Sequence, residues 1–186
     1  MKRFLILSLF VISSCASSKK STIVKQQYPS PFEFTLVDTL AGTKEELYIK
    51  AYEWVSRTYG SAKAVIDMQD KGAGKIIGKA IIDLDGLKSL SGKVKYLIAI
   101  DTKDGKYRCT ISSFDHSGHV SYTRYGPITS RSYGDLSKEK FLYKSPNYNK
   151  MVEDKRFYLL KNYVFLESKA TLESLKTKMH DHSDTF

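Results

Sequence analysis

The sequence predicts an α+β domain: a twisted antiparallel sheet of about five strands with helices packed on one face. Three observations carry this. Apolar residues alternate at period two in several short runs separated by turn residues. A helix-opening capping box stands between the first of these runs and the rest. An Asp-Gly pair joins two long alternating runs and marks a tight hairpin.

The chain starts with Met1-Lys2-Arg3, then the apolar run Phe4 to Ile12, then Ile12-Ser13-Ser14-Cys15. A basic start, a short apolar stretch and two small residues before a cysteine have the form of a secretory signal. The stretch is too short to cross a bilayer core of about 30 Å. Ile12-Ser13-Ser14-Cys15 resembles a bacterial lipobox, in which the cysteine is acylated and becomes the first residue of the mature chain. Residues 1–14 are thus expected to be a lipoprotein signal peptide and Cys15 the lipidation site. Residues 15–31 are polar and Ser-rich without a helical or strand period, and are expected to form a flexible tether. The expected partner at this end is membrane lipid, held through the acyl chains on Cys15.

The domain is expected over 32–178. Phe32, Phe34 and Leu36 alternate as in a half-buried strand. Thr43-Lys-Glu-Glu46 opens a helix to about Tyr59, with Leu47, Ala51, Trp54, Val55 and Thr58 on one face and Gly60 as the stop. A short strand follows from Lys63 to Met68, a turn at Asp70-Lys71-Gly72, and a longer strand from Ala73 to Leu84. Gly78 and Ala80 leave room on its inner face, which Trp54 is expected to fill. Lys95 to Lys103 and Lys106 to Asp115 flank Asp104-Gly105, read as a type I′ turn. That link pairs Ile98 with Ile111, Ile100 with Cys109, Thr102 with Tyr107 and, on the polar face, Asp101 with Arg108. Residues 116–150 carry Gly, Ser, two prolines and Tyr122, Tyr125, Tyr133, Tyr143 and Tyr148, with poor periodicity, and are expected to be a long loop with short elements. From about Lys150 the helical period returns as one long helix or two in tandem. Leu159, Tyr163, Leu166 and Ala170 lie on one face, and Leu172, Leu175 and Met179 continue it with a shift. The tail 179–186 should fray.

Three segments, Trp54-Val55, Asp70-Lys-Gly-Ala-Gly-Lys-Ile-Ile-Gly-Lys79 and Asp104-Gly-Lys-Tyr-Arg108, together with the element order, resemble the domain of unknown function 4468. The resemblance covers Phe32 to Asp115 and implies a TBP-like fold of order β-α-β-β-β-β-α. It also implies a Bacteroidetes envelope protein. The family brings no catalytic residue, and the likeness of its fold to a DNA-binding protein is analogy alone.

The net charge of +10 falls to about +8 once Lys2 and Arg3 are removed, a balance that favours anionic surfaces. With Cys15 acylated, Cys109 has no partner for a disulfide. Gly72-Ala-Gly74-Lys-Ile-Ile-Gly78 mimics a nucleotide loop, but it opens a strand where a phosphate cradle needs a helix N-terminus. His116-Ser-Gly-His119 and His180-Asp-His182 each offer two metal ligands without a third at a recognisable spacing. No cofactor, metal or nucleic acid is expected.

The functional expectation is a non-enzymatic envelope module, lipid-anchored and facing the periplasm from the outer membrane, that binds an envelope protein or polymer. Its candidate surface is Tyr122, Tyr125, Tyr133, Lys79 and Arg108. The alternatives are a cell-wall or lipid hydrolase using His116 or His119, and a basic module lying on anionic membrane.

Overall fold

The computed structural model describes residues 27–60, 62–84, 90–139 and 150–181. Cys15, Tyr143, Tyr148 and His182 lie outside them. The elements are β1 (Phe34–Thr39), α1 (Lys44–Thr58), α2 (Ala62–Val65), β2 (Ile66–Asp70), β3 (Lys75–Asp83), β4 (Gly92–Lys103), β5 (Lys106–Gly118), β6 (Val120–Thr123), β7 (Gly126–Thr129), β8 (Gly134–Asp135) and α3 (Lys150–His180). The main sheet is antiparallel in the order β1-β5-β4-β3-β2, with β8 pairing the far end of β5. Alternate residues of β3, β4 and β5 are buried under the helices, which makes one face a core and leaves the other open.

The capping box forms: the Thr43 hydroxyl accepts from the Glu46 N–H, and the Glu46 carboxylate accepts from the Thr43 N–H at 2.8 Å. Leu47, Tyr48, Ala51, Trp54 and Val55 of α1 are buried, while Thr58 is exposed. The hairpin register is the one the Asp-Gly link dictates, pairing Ile98 with Ile111, Ile100 with Cys109, Thr102 with Tyr107 and Asp101 with Arg108. The turn itself differs from type I′. Gly105 takes φ +73°, but among the described non-glycine residues only Ser113 has a positive φ, so Asp104 does not. The Asp104 carboxylate is occupied elsewhere, accepting the first free N–H of α1 from Lys44 at 2.7 Å.

Four expectations are corrected. Residues 62–65 form the single helical turn α2 before the short strand, which begins only at Ile66. The space beside Gly78 belongs to Val65 and not Trp54: a Cβ there would stand 2.8 Å from the Val65 carbonyl oxygen. The Trp54 indole instead donates to the Ser174 hydroxyl of α3 at 3.1 Å. Segment 116–139 is more ordered than a loop, because β5 runs on to Gly118, β6 and β7 form a hairpin, and β8 returns to the sheet.

The fourth correction concerns α3, which is one helix of 31 residues. Its core face is Glu153, Phe157, Leu160, Lys161, Val164, Ser168, Leu172, Leu175 and Met179, a continuous helical stripe. Leu159 and Leu166, expected inside, are 51% and 55% exposed. The chain ends of the body are docked more firmly than expected. Met179 is fully buried, His180 Nε2 lies 2.8 Å from Asp38 Oδ2, and Lys50 of α1 donates to the Met179 and Asp181 carbonyls at the C-terminus of α3. At the other end Tyr28 packs edge-on against Phe32 and Phe165 and donates its hydroxyl to the Tyr158 carbonyl, so the folded body takes in part of the expected tether.

Candidate functional site

Two solvent-facing surfaces bring the expected binding residues together in part. The first is the open sheet face. Lys79 stands there opposite Leu97, and Arg108 opposite Asp101, on strands separated by β4. Both cations are engaged: Lys79 Nζ meets Asp67 at 2.7 Å, and Arg108 donates to one Asp101 oxygen from Nε at 3.2 Å and from a terminal nitrogen at 2.8 Å. Such exposed pairs contribute little to stability and can exchange for a partner's charges. Between them run Thr35, Thr110, Ala99, Ile77 and Met68, one from each strand in register. The Thr35 and Thr110 hydroxyls share a hydrogen bond at 3.2 Å.

The second surface is the β6–β7 hairpin. Thr123 braces its turn, donating its hydroxyl to the Gly126 carbonyl and accepting the Tyr125 N–H. Tyr122 and Tyr125 are 85% and 91% exposed, with the Arg124 guanidinium 5.9 Å from the Tyr125 ring centre. The hairpin's root is held by Ser130, whose hydroxyl donates to the Ser91 carbonyl at 2.6 Å and accepts the His119 N–H.

Tyr133 does not belong to either surface. It is 4% exposed, and its hydroxyl donates to buried Glu153 at 3.1 Å. Glu153 also takes Arg156 at 2.9 Å and Arg131 at 3.5 Å, which makes it the centre of a charge cluster between α3 and the strand segment before β8. Burial first, and then the Glu153 charge, raise the Tyr133 pKa, so the phenol stays a donor.

His116 is fully buried and both ring nitrogens face backbone: Nδ1 accepts the Tyr133 N–H at 3.2 Å and Nε2 faces the Leu90 carbonyl at 3.3 Å. This fixes the neutral tautomer with its proton on Nε2. Burial lowers its pKa, against smaller opposing effects of the Leu90 carbonyl and Asp115. Neither nitrogen is open to an outside substrate, so the acid–base role considered for His116 has no geometry to support it. His119 is exposed at the hairpin root. The Cys109 thiol is buried and pushed up to about 12, mainly by desolvation, and is inert as a nucleophile. Gly74, in the glycine run, has φ +66° and no room for a Cβ against Thr102, a tight turn and not a phosphate cradle. Among the described residues no group of three or more His, Cys, Asp or Glu side chains could hold a metal ion.

A third feature went unread in the sequence. β5 carries a bulge at Ser113, with Lys95 facing Asp115 and Leu97 facing Ser112. Ser113 sits at φ +58°, a costly conformation outside glycine. The extra residue turns Phe114 and His116 inward and Asp115 outward. An open cleft of about 400 Å³ lies beside it, lined by Glu33, Asp115 and Asp135 with the hydroxyls of Ser112, Ser113 and Ser137. The Asp135 carboxylate is already taken by the Ser137 N–H and hydroxyl. The signal for the bulge was the pair Ser112-Ser113, which interrupts the alternation.

Residues 35–117 match the model of a domain of unknown function (DUF4468) with TBP-like fold. No curated protein sequence matches the chain. Among the solved structures that resemble it are two crystal structures. A TBP-like protein from Parabacteroides distasonis superposes with a TM-score of 0.57 at 14% identity, covering 84% of this chain and 97% of that one. A DUF4468 family protein from Bacteroides ovatus gives 0.52 at 12%, covering 87% and 93%. At these identities the superpositions establish the fold. The family model covers β1 to nearly the end of β5, and the fold of this chain is TBP-like.

Proposed function

We propose that this protein is a non-enzymatic binding module of the bacterial envelope. In this reading it is anchored by acyl chains on Cys15, released from its signal peptide at residue 14, and directed into the periplasm from the outer membrane. It binds an envelope protein or polymer. The observation that carries the reading is the β6–β7 hairpin, which holds two tyrosines almost entirely in solvent on a braced turn. Aromatic side chains exposed to this degree, with a polar hydroxyl and few rotatable bonds, are the residue type enriched where partners bind. A second support is chemical. The buried histidine and thiol are locked away from solvent, and the open sheet face offers exchangeable ion pairs in place of a catalytic constellation.

The test has two arms. Cys15→Ser should give an unprocessed, unlipidated precursor by intact mass, and normal processing and membrane fractionation of that variant would refute the anchor. Tyr122→Ser combined with Tyr125→Ser should leave the fold intact, because neither ring is buried. It should reduce recovery of co-purifying envelope material about tenfold, the equivalent of roughly 1.4 kcal/mol. Unchanged recovery would remove the hairpin from consideration.

A further inference from the structure

The 31-residue helix α3 has two apolar faces, and only one is used by the core. On the outer side Val152, Leu159 and Leu166 are 37%, 51% and 55% exposed. Their spacing of seven drifts only about 20° per repeat, so they form one straight stripe about 21 Å long. Lys155 and Lys169 flank it, both exposed, with Glu173 beyond its end. An apolar ridge edged by lysines is the pattern of a helix lying in a headgroup boundary.

What covers this ridge is suggested by where the N-terminal segment meets the body. Tyr28 is fastened to α3 itself, through the Tyr158 carbonyl, the Phe165 ring and the Lys161 ammonium at 5.3 Å from its ring centre. Tyr158 and Phe165 are each the immediate neighbour of a ridge residue, Leu159 and Leu166. Tyr28 stands 13 residues after Cys15, a separation of at most about 45 Å along fully extended chain. A bilayer holding the acylated cysteine is therefore within reach of the ridge.

We propose that α3 rests on the anchoring membrane, with Val152, Leu159 and Leu166 in the headgroup boundary and Lys155 and Lys169 on anionic lipid. This rests on the lipidation reading above. Since α3 and the open sheet face lie on opposite sides of the sheet, docking in this way directs Lys79 and Arg108 away from the bilayer.

The experiment uses the full-length, processed lipoprotein reconstituted in vesicles of phosphatidylethanolamine and phosphatidylglycerol. Single variants Leu159→Cys, Leu166→Cys and, on the sheet face, Met68→Cys are labelled with an environment-sensitive fluorophore. Cys109 is buried and Cys15 acylated, so the label goes to the new thiol. Lipid brominated near the headgroup should quench positions 159 and 166 at least twofold more than position 68, and the difference should shrink in high salt. Equal quenching at all three positions overturns the proposal, as does a disulfide-linked dimer through position 159, which would assign the ridge to a second copy. A blue-shifted label at 159 that brominated lipid does not quench also overturns it, assigning the ridge to protein such as segment 140–149. Intact mass is read first. Protein without fatty acid on Cys15 fails the anchor reading, whereas lipidated protein with unquenched labels fails only this one.

Discussion

The β4–β5 hairpin and helix α3 are both long, regular and central to the core, yet one was legible to the residue and the other was turned nearly half round. In the hairpin a residue faces either in or out, and the Asp-Gly link sets the phase for every pair that follows. In the helix the phase must be inferred from hydropathy, and the two apolar stripes of α3 compete. The stripe that won contains Glu153, Lys161 and Ser168, because each polar group but the Ser168 hydroxyl finds partners there. Lys161 lies 4.4 Å from the Phe32 ring centre and donates to the Lys138 carbonyl, and its pKa is lowered chiefly by burial. The stripe that lost, Leu159, Tyr163, Leu166 and Ala170, carries no charge, and its leucines face outward. Hydropathy alone ranks these two in the wrong order, since it cannot know that a carboxylate will meet two arginines and a phenol.

The sharpest way to break this comparison is at two adjacent residues. Leu160→Ala should cost about 3 kcal/mol in urea unfolding and Leu159→Ala under 0.5, since Leu160 is fully buried and Leu159 half exposed. Equal losses would return α3 to the phase read from hydropathy. Next in size, Glu153→Ala should cost about 2 to 3 kcal/mol, because it removes the buried carboxylate that the Tyr133 hydroxyl, Arg131 and Arg156 share. Arg131 and Arg156 keep some access to water, which places the loss at the low end for a buried pair.

A smaller effect follows from His116. Its pKa in the folded state lies below the ordinary 6.5, so the unfolded chain takes up this proton first as pH falls. Its contribution is complete above about 6.5 and is lost as the pH drops toward the folded value, with a slope of at most about 1.4 kcal/mol per unit. Denaturation midpoints between pH 7.5 and 5 should fall in the wild type and flatten in His116→Gln. The smallest effect belongs to the exposed Asp101–Arg108 pair of the hairpin, where a double-mutant cycle should give under 1 kcal/mol. The register was set by the link and not by this charge pair.

Legibility across the molecule follows the same division. The capping box, the strand alternation and the hairpin pairing depend on neighbours in sequence and were readable. The bulge at Ser113, the turn α2 and the burial of Tyr133 depend on contacts between distant segments. Alternation resumes after Ser113 with its phase shifted by one, which is why His116 looked like the start of a loop while its ring was entering the core. Of the candidate surface, Tyr122, Tyr125, Lys79 and Arg108 are at the exterior, and Tyr133 is the tyrosine whose hydroxyl found a buried acceptor.

Strand β5 runs for 13 residues from the Asp-Gly turn to the root of the tyrosine hairpin, which makes it a spar about 40 Å long. The turn at its near end is tied to the loop before α1, where the Gly105 N–H donates to the Gly42 carbonyl, and β1, β4 and β8 stiffen its length. A load taken up at Tyr122 or Tyr125 is thus carried into the whole sheet along one continuous backbone.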